Sequence, residues 1–70
     1  MDRATKTKIA MYAYDITVGS GEIDPEIAQW APDVTAYREL EILLGHDLLA
    51  EEKVHFKKCY NEQLMCLAFP

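Results

Sequence analysis

Apolar positions recur at helical intervals in three stretches of the chain, separated by breaks rich in Gly, Pro and Asp. In the first stretch, Arg3 to Val18, Ile9, Tyr12, Ala13 and Ile16 share one side of a helix. Met11, Tyr14 and Val18 fall on the opposite side, and a helix apolar on two sides is expected to lie sandwiched between layers. A strand with Tyr12, Tyr14, Ile16 and Val18 on one face is the alternative; the helix is preferred because no partner strand is visible elsewhere. Gly19-Ser20-Gly21 ends the element, with Gly19 suited to a left-handed cap.

Asp24-Pro25 pairs a capping side chain with proline at the first helical position, which predicts a short helix from Pro25 to Trp30. Pro32 disfavours helical geometry at Ala31 and closes it. A second start follows at Pro32-Asp33, and Val34, Tyr37, Leu40, Glu41 and Leu44 keep helical spacing up to Gly45, a suitable C-cap. Ile42 points away from that stripe. Asp47 is expected to cap the last helix, with Glu51 and Glu52 in its first turn, where the helix dipole favours acids. Its core face is Leu49, Phe56, Tyr60, Leu64 and Leu67. The segment Leu64 to Phe69 is apolar all round, too short to span a bilayer, and needs cover from the fold or a partner. The expected architecture is all-α: a small bundle of three helices plus a short fourth, one domain over residues 1–70, self-associating through its C-terminal helix.

Half of the 70 residues are hydrophobic, enough for a core and too many for a disordered chain. A chain of this size buries only about 60% of the surface that its unfolded form exposes, so its stability is marginal. Met1 to Lys8 is polar and mixed in charge, unlike a secretory leader. Two cysteines make no disulfide framework, and a reducing cytoplasm is the expected setting.

Charge changes the picture more than composition does. From Asp15 to Glu52 there are ten carboxylates and one base, Arg38, while Arg3, Lys6, Lys8, Lys53, Lys57 and Lys58 lie outside that stretch. A one-sign stretch of this length sets up a field that favours basic partners and opposes direct binding to nucleic acid. Acids at helix starts account for Asp24, Asp33, Asp47, Glu51 and Glu52. Those left over, with the loop cluster, define a candidate partner-binding set: Glu22, Asp24, Glu26, Glu39 and Glu41, with Trp30 as an apolar anchor. Carboxylates so placed imitate a row of phosphates and suit the Arg/Lys surface of a nucleic-acid-binding protein.

Two further constellations sit on the last helix. Glu52, His55, Cys59, Glu62 and Cys66 are spaced 3, 4, 3 and 4, which puts them on one face. His and Cys four apart reach one metal ion, so Glu52, His55 and Cys59 are the alternative metal set. At Glu52-x-x-His55 alone the chain resembles ferritin-like proteins. That resemblance implies a second such motif and extra carboxylates, which only a symmetric dimer with Glu39 or Glu41 would supply. Cys59 with His55 is also the one conceivable nucleophile–base pair; a third group to orient the base is missing, and no phosphate loop or nucleophile elbow is present. The expectation is therefore a small acidic interaction protein without catalysis or cofactor. It would inhibit or regulate a basic partner, in the manner of chains encoded by phages and mobile elements. A structural subunit docking through its apolar tail is the remaining alternative.

Overall fold

A computed structural model describes residues 1–69, and these form three α-helices and no strand: α1 Arg3–Ile16, α2 Val34–Leu44 and α3 Ala50–Ala68. Residues 8 to 16 are thus helical. Asp2 starts α1 by accepting the Thr5 N–H at 2.8 Å, and those bonds to Thr5 hold its carboxyl below the usual range. The helix stops at Ile16, short of Val18, because Thr17 turns the chain. Its buried hydroxyl donates to the Ala13 carbonyl at 2.7 Å and its N–H to the Tyr14 carbonyl at 3.2 Å. Gly19 is not the left-handed residue. Its N–H donates to Tyr14 at 2.9 Å, and the positive φ of 66° falls on Gly21.

The expected fourth helix is absent. Asp24 does cap a turn, its carboxylate accepting the Glu26 N–H and its carbonyl the Ala28 N–H, both at 2.9 Å. That single turn is not extended, because Pro32 keeps Ala31 out of helical geometry and a one-turn nucleus is unfavourable alone. Pro25 to Trp30 therefore belong to one loop, residues 17–33. Asp33 caps α2 as expected, accepting the Ala36 N–H at 2.9 Å, and Gly45 closes it with φ 79° and an N–H bond to Glu41 at 2.8 Å. Asp47 does not cap α3. The helix begins after Leu49, where the Glu52 carboxylate reaches back to accept the Leu49 N–H at 2.9 Å, and Glu41 accepts the Leu48 N–H at 2.9 Å. Two side chains from within the helices thus satisfy the Leu48 and Leu49 donors of the connection.

The Met1 amino group lies 3.8 Å from the Glu51 carboxylate, which sets the N-terminal ends of α1 and α3 together. Tyr12 meets Glu39, and Leu43 lies beside Lys8 and Met11, so α2 runs antiparallel to α1. The helices form an up-down-up bundle with α1 and α3 parallel. Phe56 is fully buried at its centre, with Tyr12 of α1 at 5.6 Å (ring centroids) and Tyr37 of α2 edge-on at 5.5 Å. Ile9, Ala13, Leu40, Cys59, Tyr60 and Leu64 complete the buried apolar set. With only three helices there is no second layer over α1, so Met11 and Tyr14 stay exposed and the expected sandwich does not form. Val34 and Leu49, expected inside, are also exposed, Val34 as the first residue of α2 and Leu49 just ahead of α3. Among the described residues no helix is long and apolar enough to cross a membrane.

Phe56→Ala removes the side chain shared by all three helices and should lower stability by about 3–5 kcal/mol, read as a loss of cooperative urea unfolding followed by circular dichroism. Gly45→Ala, where an added Cβ meets no atom within 4 Å, should cost only the left-handed backbone strain, about 1 kcal/mol.

Candidate functional site

α3 has 19 residues and α1 has 14, so with their starts aligned α3 projects past the end of α1 by about 7 Å at 1.5 Å per residue. The apolar end of α3 would be bare there, and the 17–33 loop takes the place of a helix beside it. Ile23, Ala31 and Asp33 of the loop approach Tyr60. Further along, Asp24, Glu26 and Trp30 face Leu67 and Phe69 across an open groove of about 500 Å³. Leu64 is buried and Leu67 half-buried by the chain itself, so part of the apolar tail finds its cover within the fold. Trp30 remains 43% exposed and Phe69 75% exposed.

The loop carries four carboxylates, Glu22, Asp24, Glu26 and Asp33, and no Lys or Arg. The bases ride on α1 and α3, with Arg38 alone on α2. Among the described residues the ion pairs are Met1 with Glu51 and His46 with Glu52, so folding brings no cation to a loop carboxylate. One Asp24 oxygen is spent on the turn at Glu26; Glu22 and Glu26 stand exposed on the surface.

The six residues of the partner-binding set do not form one face. Glu22, Asp24, Glu26 and Trp30 share the loop, and three of them share the groove. Glu39 and Glu41 are two apart on α2 and diverge by about 200°. Glu39 accepts a hydrogen bond from the Tyr12 hydroxyl, tying α1 to α2. Burial, and then this carboxylate, push the Tyr12 phenol up, so it stays a donor. Glu41 holds the connection to α3 through Leu48. Both are thereby committed to the bundle. Leu67 and Phe69 join the site instead. They stood out in the sequence only as an apolar tail, and their meeting with Trp30 spans more than thirty residues of chain.

The Glu52, His55 and Cys59 set is also divided. Glu52 is 3% exposed and turned to the α2–α3 connection, where His46 Nε2 lies 3.0 Å from both of its oxygens. An ionised carboxylate can only accept, so Nε2 carries the proton. His55 Nε2 does meet Cys59 Sγ, at 3.6 Å. Burial, and then Glu62, push the Cys59 thiol up, opposite to the direction that an activated nucleophile needs. Among the described residues no group of three or more His, Cys, Asp or Glu side chains is arranged to hold a metal ion. Cys59 is buried and Cys66 exposed, both as free thiols.

Glu52 makes stability depend on pH. The Leu49 N–H, and after it His46, hold its carboxyl below the ordinary 4.5 against the opposing effect of burial. A depressed carboxyl contributes stability in full above its unfolded pKa and loses it as pH falls through the folded value. Thermal unfolding from about pH 7 down to about pH 3 should show Tm falling below pH 4.5. Glu52→Gln keeps the acceptor for Leu49 and loses the charge. It should have the lower Tm at neutral pH, and the gap to the native chain should close in acid.

Comparison of the chain with protein-family models, with curated proteins and with solved structures finds no match, so the site is understood from its own geometry.

Proposed function

We propose that this chain is an acidic interaction module whose 17–33 loop, with the end of α3, binds a basic segment of a partner protein. The observation that carries the reading is the loop's uncompensated charge beside an exposed Trp30 and Phe69. Lys and Arg pair a charged head with an apolar stem. A groove offering Asp24 and Glu26 at its rim and an indole and a phenyl ring in its wall is complementary to both parts, with cation–π attraction added. Basic segments of that composition are common on nucleic-acid-binding proteins, and a small chain occupying one competes with nucleic acid and so acts as an inhibitor or regulator. Size and charge fit the products of phages and mobile elements. The contact residues are Glu22, Asp24, Glu26 and Trp30; Glu39 and Glu41 contribute to the field without touching the ligand.

Trp30 is the one tryptophan of the chain and reports directly. Titration with a peptide of alternating Arg/Lys and aliphatic residues should shift its emission, and the Kd should weaken roughly tenfold or more between about 0.05 M and about 0.5 M salt. The triple variant Glu22→Gln, Asp24→Asn, Glu26→Gln keeps the Asp24 turn, since Asn also caps, and should lose the binding. Affinity indifferent to salt, or unchanged in the triple variant, would sink the reading.

A further inference from the structure

The outward face of α1 has the pattern of a contact that complements itself. Ala4, Lys8, Met11 and Asp15 are spaced 4, 3 and 4 and fall within about 60° of one another around the helix, opposite the buried Ile9 and Ala13. Met11 is 62% exposed, and beside it Leu43 of α2 is 55% exposed. With Tyr12 they line an open groove of about 250 Å³ that is apolar along its length and bounded by Lys8 and Asp15. Those two charges are seven residues apart, about 10 Å along the helix, too far to pair with each other. Neither has an ion-pair partner among the described residues.

We propose that this face binds a second copy of the chain, with the two α1 helices antiparallel about a two-fold axis. An axis crossing the helix between Met11 and Tyr12 carries position 8 onto position 15 and position 15 onto position 8. Lys8 of each copy then meets the partner's Asp15, and the two ion pairs bracket an apolar centre. Met11 of each copy enters the groove formed by Tyr12 and Leu43 of the other. Ala4 at the edge of the stripe leaves room for the helices to approach. An isologous contact requires such a self-complementary patch. An unrelated partner would need to supply the same charges in the same order. The face is a different one from the C-terminal helix that the sequence suggests, much of whose apolar surface α1 and the 17–33 loop already cover. Two short helices with Leu43 make a small interface, of the size found in weak, transient complexes.

The test is sedimentation equilibrium of the full chain at about 0.15 M salt, where repulsion between two net-acidic copies is screened beyond about 8 Å. The native chain should dimerise. Lys8→Glu and Asp15→Lys each replace two attractive pairs by two repulsive ones and should weaken the dimer roughly tenfold or more, with unchanged helicity because both positions face solvent. The double variant Lys8→Glu, Asp15→Lys exchanges the charges and should restore the native Kd. A native chain still monomeric at about 1 mM, single reversals that leave the Kd unchanged, or a folded double variant that fails to recover would each overturn the proposal.

Discussion

The contact of Phe56 with Tyr12 and Tyr37 is the point at which α1, α2 and α3 meet, and the remaining structure is arranged around it. In a chain of 70 residues few side chains are far enough from solvent to be fully buried, so one large aromatic at the centre does what a layered core does in a larger domain. Tyr12 is used twice: its ring lies against Phe56, and its hydroxyl bonds Glu39 across to α2. The same tyrosine thus joins α1 to α3 through its ring and to α2 through its hydroxyl.

Two carboxylates that look like surface charge in the sequence are structural. Glu41 and Glu52 take the N–H groups of Leu48 and Leu49, the donors left free where the chain turns from α2 into α3, and His46 closes over Glu52. A five-residue connection has little freedom, and satisfying its backbone from both adjoining helices fixes the angle between them. In the 17–33 loop Asp24 and Asp33 serve as caps, while Glu22 and Glu26 are free of such duties. The difference in length between α1 and α3 then brings that loop against an apolar helix end, where charge and exposed aromatic surface coincide.

Helix content was legible from periodicity, and so were the caps at Asp33 and Gly45, because a capping residue acts on donors and carbonyls three or four residues away. The core positions Ile9, Ala13, Leu40, Phe56, Tyr60 and Leu64 follow from the same spacing. Where local signals compete, the sequence misleads. Asp24-Pro25 and Asp47 both read as helix starts. The first was stopped by Pro32 after one turn, and the second was displaced when Glu52 served Leu49. Exposure of Met11, Val34 and Leu49 could not be read from periodicity either, since it depends on how many neighbours the bundle has.

By itself the sequence determined the three helices, the apolar stripe of each, and the separation of bases in α1 and α3 from acids between them, because all three depend on residue order and short-range geometry. Tertiary structure alone decided which acids are free and which hold the bundle together. It divided Glu22, Asp24 and Glu26 from Glu39 and Glu41, turned Glu52 from His55 to His46, and carried Trp30 to Phe69. The last of these depends on helix lengths and crossing geometry, which bring residues more than thirty positions apart to one groove.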